Sequence, residues 1–223
     1  MTVITWGSLI VTRSTLPIAV ALSTAAALLL SACGGGSPSK PSGKIAGAQS
    51  NSPTAASPSS AAPKGAPEIK LPSDVKVEIE DPSGDPATAE PSADLQYAIR
   101  ALREGYAQGN GQVPSMLYAY GPDAGIYWSQ LIKKFRDQDK TITGTYRYYS
   151  MKVKLTSGST AAGSYCEDQR QAFAKDIKTG KVYKTTPSND DFFLNTVKLT
   201  KDQGVWKVAE ASWKKGDSSC VRG

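Results

Sequence analysis

The sequence predicts an α+β domain: N-terminal helices packed on a curved antiparallel sheet of four to five strands, carried behind an export signal and a disordered tether. Three observations lead there. Residues 1–69, an apolar leader followed by a Gly/Ser/Pro/Ala-rich stretch, do not look globular. Apolar residues then recur at helical spacing between 92 and 136, and after Lys140 they alternate, with turn residues between the runs. Helices gathered ahead of an antiparallel meander indicate α+β, since parallel α/β sheets interleave the two.

The leading segment reads as an export signal. Arg13 supplies a positive charge, Leu16 to Leu30 form an apolar run of 15 residues, and Ser31 and Ala32 are the small residues that precede a cut. The run is shorter than the roughly 20 residues of a spanning helix. Leu30-Ser31-Ala32-Cys33 resembles the lipobox of bacterial lipoproteins. That resemblance implies a diacylglycerol (palmitate-type) anchor on Cys33, which becomes the mature N-terminus on the outer face of the cytoplasmic membrane. Two acyl chains anchor stably where one would be marginal. Met1 to Val11 is apolar and uncharged, unusual for the head of a signal, so Val11 stands beside Met1 as the expected translation start. The expected organisation is signal peptide over 1–32, lipidated cysteine and tether over 33–70, and the α+β domain over 71–223.

The tether follows from composition. Of residues 34–69, 27 of 36 are Gly, Ser, Pro or Ala, and Ile45 and Ile69 are the only large apolar side chains. Such a stretch buries too little to offset its ordering entropy.

Within the domain, Val75, Val77 and Ile79 alternate with charged residues and predict a short strand or ordered arm. Ser92 as N-cap and Asp94 in the first turn open a helix whose stripe is Leu95, Ile99, Leu102 and Tyr106, stopped at Gly109. A short helix is expected over Ser115–Tyr120. A third begins near Asp123, with Ala124, Trp128, Leu131 and Phe135 on one face. Beyond Lys140, Ile142, Gly144, Tyr146 and Tyr148 share one parity, and Tyr149, Met151, Val153 and Leu155 the other. A stripe that switches parity predicts a bulge and a bent sheet. Strands are expected over 161–177, 181–185 after a turn at Gly180, a run with Phe193, Val197 and Leu199 inward, and 205–213 after a turn at Gly204.

Composition excludes chemistry as well. The chain has no histidine, which removes Ser-His-Asp and Cys-His catalysis and the commonest metal ligand. No metal and no cofactor is expected. Residues 70–139 carry 7 basic and 11 acidic side chains, residues 140–223 carry 15 and 8. The basic half reads either as a face for anionic lipid or wall polymer or as a solvated lysine-rich sheet surface. Tyr146-Arg147-Tyr148-Tyr149 with Lys152 and Lys154 has the composition of a nucleic-acid surface, but an exported chain points to a wall polymer or ordinary strand chemistry. With Cys33 lipidated, Cys166 and Cys220 are the remaining thiols in an oxidising compartment and are expected to pair; the alternatives are two free buried cysteines or one reactive thiol.

The stretches Thr141–Tyr149, Tyr165–Gln169 and Gly204–Val208, continuing through Trp213 to Cys220, resemble secreted actinobacterial lipoproteins with a nuclear-transport-factor-like, or cystatin-like, cone domain. The resemblance spans roughly residues 71–220. It implies a pocket between helices and concave sheet, with Trp128, Tyr146, Tyr148, Asp168 and Arg170 as its lining, and a homodimer through the sheet as one assembly. Two functions follow. The preferred one is a non-enzymatic accessory or binding lipoprotein of the envelope, partnered by the membrane and by an anionic wall polymer or envelope protein. The alternative is an acid–base enzyme of isomerase or dehydratase type, using Asp168 as base and a tyrosine as hydrogen-bond donor. The competing view of these residues makes the tyrosines core and Asp168–Arg170 a surface ion pair.

Overall fold

The computed structural model describes residues 62–82 and 84–222. The signal, Cys33 and the chain through residue 61 lie outside the described residues. The helical layer opens with a single 3₁₀ turn, Pro86–Thr88, in which the Asp85 carboxylate accepts the N–H of Ala87 at 2.8 Å. Helix α1, Ala89–Gln108, continues directly from it. The start expected at Ser92 is therefore late: Asp85-Pro86 is already a cap followed by a proline at N1, and Ser92 and Asp94 are buried inside the helix. Gly109, at φ 63°, ends α1 with a left-handed cap. Helices α2, Pro114–Ala119, and α3, Pro122–Arg136, both begin on proline, and Lys133, Lys134 and Arg136 favour the negative end of the α3 dipole.

The sheet runs β1–β2–β3–β5–β6, with strands at Val75–Ile79, Lys140–Leu155, Thr160–Asp176, Phe192–Asp202 and Val205–Lys215. A two-residue β4, Val182–Tyr183, pairs with β3. The four long strands β2, β3, β5 and β6 form the expected antiparallel meander, and β1 is added in parallel beside β2. The helices intervening between β1 and β2 supply the long crossover that a parallel pair needs.

The predicted bend is present. Pairing of β2 with β3 shifts register between Thr145 and Arg147 and again between Tyr149 and Lys152, where Ser150 has φ 51°. Ile142, Tyr146 and Tyr148 before the second shift, and Met151 and Val153 after it, all face the main core. Tyr149, grouped by parity with Met151, precedes that shift and points the other way. Gly144 sits in the same strand at φ 92°, where an added Cβ would run into the Gln171 carbonyl oxygen of β3. Both the conformation and the space exclude a side chain. Gly144→Ala is expected to cost about 2–4 kcal/mol, a combination of backbone strain and a broken ladder, measurable by urea unfolding.

The main core lies between α1 and the concave sheet face, with Leu95, Ala98, Ile99 and Leu102 against Tyr148, Val197, Leu199 and Val208. Asp94 ties the two layers, its Oδ2 accepting the N–H of Trp206 on β6 at 2.8 Å. Burial pushes the Asp94 carboxyl above its ordinary range; the Trp206 bond pulls it down, and nearby Glu90 adds to the rise. The native state thus holds that proton more tightly than the unfolded chain, so this group's contribution to stability falls as pH rises. Asp94→Asn keeps an acceptor and removes the buried charge. It should be at least as stable as wild type at pH 7, with its relative advantage shrinking as pH falls toward about 4, by urea unfolding at both values.

A smaller cluster, Tyr149, Cys166, Phe192 and Cys220, lies on the convex face. The Cys166–Cys220 disulfide is formed, which settles the choice between a bridge and free thiols. The Tyr149 hydroxyl donates to the Cys220 carbonyl, and the Arg222 guanidinium lies 3.4 Å from the Tyr149 ring centre while pairing with Glu80 at 2.6 Å. The tail is a strap across the outside of the sheet. Order also begins before residue 71: Ala66 and Ile69 pack on the core, and the Tyr97 hydroxyl donates to the Pro67 carbonyl at 2.7 Å.

Candidate functional site

The polar centre of the concave interior is built on Arg103. This residue lies one turn after Ile99 on the inward stripe of α1, so its guanidinium is aimed at the sheet. Its Nε donates to the Tyr148 hydroxyl at 2.5 Å, and its Nη2 donates to Glu167 Oε1 at 2.8 Å. The guanidinium carbon stands 4.5 Å from the Tyr146 ring centre, with Tyr106 and Tyr148 at 5.8 and 5.7 Å. Gln169 Nε2 donates to the same Glu167 oxygen at 2.6 Å. Arg103 is 8% exposed and Glu167 3%, so the pair is withdrawn from solvent.

Electrostatics follow from that burial. Desolvation works against the Arg103 charge, and Glu167 with the surrounding tyrosines more than restores it, leaving its pKa well above the ordinary arginine value. Burial pushes the Tyr146 hydroxyl up to about 12, with Arg103 opposing, and raises Tyr148, Tyr165 and Tyr120 as well. These phenols stay neutral donors and acceptors across the physiological range. Another buried carboxylate, Glu104, has no cation beside it among the described residues. It accepts instead from the Ser115 hydroxyl, from the Lys70 N–H at 3.0 Å and from Gln108 Nε2 at 2.9 Å, joining α1, α2 and the incoming chain.

The residues expected to line one pocket separate into three places. Tyr146 and Tyr148 meet around Arg103. Asp168 and Arg170 lie on the convex face, paired at 3.0 Å, with Arg170 4.7 Å from the Phe192 ring. Side chains alternate along β3, so Tyr165 and Glu167 face the helices while Cys166 and Asp168 face away. Trp128 sits on α3 at the margin of the core, its ring 5.2 Å from that of Tyr127 and its indole N–H buried without a partner among the described residues. Asp168 therefore cannot act with the interior tyrosines, and the ion pair with Arg170 is its role. Arg103 and Glu167 were not among the expected residues, although a cation on the apolar stripe of α1 and a glutamate in parity with Tyr165 are both signals in the sequence.

The arrangement is one of closure. Glu167 Oε1 takes bonds from both Arg103 and Gln169, which hold the carboxylate against the guanidinium. Concavities open instead on the surface. A groove of about 420 Å³ runs between α2 and α3, walled by Met116, Leu117, Tyr120, Gly125 and Ile126. A shallower one of about 390 Å³ lies on the sheet near Ala162, Thr196, Lys198 and Glu210. Among the described residues no group of His, Cys, Asp and Glu is placed to hold a metal ion.

The described residues thus form an α+β domain of cone-like form, with three α-helices on a bent, mostly antiparallel six-stranded sheet. No family model matches it, and no curated protein does. Solved structures similar to it include a ketosteroid isomerase-like protein from Erwinia carotovora atroseptica, 18% identical with a TM-score of 0.39, over 57% of this chain and 96% of that one. A protein of the NTF2-like family from Streptomyces avermitilis is 11% identical, TM-score 0.39, over 59% and 98%. The intermembrane space region of the chloroplast protein ARC6 is 12% identical, TM-score 0.39, over 60% and 99%. At these identities and TM-scores a likeness assigns neither activity nor ligand.

Proposed function

We propose that the chain is an extracytoplasmic lipoprotein, held by lipid on Cys33 at the outer face of the cytoplasmic membrane, whose domain serves as a non-enzymatic binding or accessory module of the cell envelope. The observation that carries the non-enzymatic part is the buried Arg103–Glu167 pair, which with its tyrosines fills the interior between α1 and the sheet. The acid–base alternative required Asp168 beside a tyrosine; Asp168 lies on the convex face near Tyr149, held in its pair with Arg170, and away from the interior Tyr146 and Tyr148. The anchor is supported by the agreement of the lipobox-like Leu30–Cys33, the short apolar run and a cysteine count in which Cys33 is the one thiol outside the disulfide. Lysines on the sheet suit an anionic wall polymer or an acidic envelope protein as partner.

Cys33→Ala tests the address. Wild type should be recovered from the membrane fraction as a shortened chain, and the variant as an uncut precursor. A Cys33→Ala protein still shortened to the same length and still held by detergent-extractable lipid would sink the proposal.

A further inference from the structure

We propose that the groove between α2 and α3 is a membrane-docking face: Leu117, Ile126 and Tyr127 enter the interface of an anionic bilayer while neighbouring lysines meet its head groups. The lipoprotein function proposed above supplies the bilayer. The contact itself needs no lipid on the chain.

The face has the two components that interfacial binding requires. Leu117 is 63% exposed and Ile126 59%, one on each wall of the groove, and Tyr127 beside them is 41% exposed. These are large apolar side chains left in water by the rest of the fold. Along α3, Lys133 and Lys134 follow Ile126 and Tyr127 by seven residues, so both lysines continue the same helical stripe and are exposed. Their stems can lie along the apolar surface with the ammonium groups at head-group level. Asp123 and Asp137 oppose the lysine charge from the two ends of α3, Asp137 through a pair with Lys133 at 2.7 Å that is exposed and therefore weak.

The path of the chain selects the bilayer as occupant. Tyr118, adjacent to Leu117 on α2, donates its hydroxyl to the Lys64 carbonyl at 3.4 Å. Helix α2 is thus both a wall of the groove and the element on which the chain leading back toward Cys33 arrives. The incoming segment itself is a poor occupant, because between residues 34 and 61 Ile45 is its one large apolar side chain. A domain tethered by some thirty residues meets the membrane at an effective concentration in the millimolar range, so weak docking suffices to orient it.

The test uses the chain from residue 33 with Cys33→Ser, which carries no lipid, and co-sedimentation with vesicles at millimolar lipid. Wild type should bind vesicles of mixed phosphatidylglycerol and phosphatidylcholine, and bind pure phosphatidylcholine more weakly. Leu117→Asn with Ile126→Asn, both at exposed positions and checked by an unchanged unfolding midpoint, should lower partitioning by about tenfold. Lys133→Gln and Lys134→Gln should each lower it by about fivefold on the anionic vesicles alone. Equal partitioning of wild type and the double variant overturns the proposal, as does no binding at all. Self-association of wild type, abolished by the double variant, overturns it in favour of a second copy of the chain. None of these outcomes touches the anchor, which the processing of Cys33→Ala decides separately.

Discussion

Replacing Cys166 and Cys220 together by serine should lower stability by about 4 kcal/mol, the cost of releasing a loop whose ends are 54 residues apart. The loss has a defined location. The bridge pins the tail over Tyr149 and Phe192, and the same strap carries the Arg222–Glu80 pair and the Tyr149 hydrogen bond. Freed of the bridge, residues 217–222 should lose amide protection while α1 and the inner face of β3 keep theirs. Urea unfolding of the oxidised wild type and the double variant gives the magnitude, and hydrogen exchange gives the place. A difference under about 1 kcal/mol would mean that the tail contributes little to the domain.

The second large effect concerns the interior pair. Arg103→Met alone leaves the Glu167 carboxylate buried without its cation, and Glu167→Leu alone leaves the guanidinium among tyrosines. Each is expected to cost about 3–5 kcal/mol, because an uncompensated charge remains in a water-excluded place. The double variant removes both charges and puts apolar volume in their stead. It should cost less than the sum, and less than the worse single variant, when all four proteins are compared by urea unfolding. Additive losses would show that the two residues do not act as a unit. Full cooperativity would mark the centre of the cone as a fold-holding cluster, where a catalytic centre would give variants that keep stability and lose turnover.

Most elements could be read from the sequence because their signals are local. The helical stripe of α1 and the turns at Gly180 and Gly204 each depend on a few neighbouring residues. So does the change of stripe parity near Tyr149, which became the bulge at Ser150. Two features were less legible. The start of α1 was masked by Ser92, a good cap residue that lies a turn inside a helix already begun at Asp85-Pro86. The place of Tyr149 depended on which side of the bulge it stood, a distinction of one or two residues that reverses the face.

The candidate site was hardest, and for a physical reason. Asp168 was selected by chemical type, since a carboxylate near tyrosines suits acid–base work. Strand alternation instead turned Glu167 inward with Tyr165 and sent Asp168 outward to Arg170. The partner that makes a buried Glu167 tolerable is Arg103, 64 residues earlier in the chain. Only tertiary packing brings the two together, and no local pattern links them. The cysteine pair was accessible to arithmetic because the proposed export leaves few fates for two thiols.

The proposed lipid anchor on Cys33 is tested most directly by the intact mass of the protein extracted from membranes without reductant. A lipid-anchored chain gives the mass of residues 33–223 plus a diacylglyceryl group, with or without a further acyl chain, less two hydrogens for the Cys166–Cys220 bridge. A mass that includes residues 1–32, or that of an unmodified chain beginning at any residue, would contradict it.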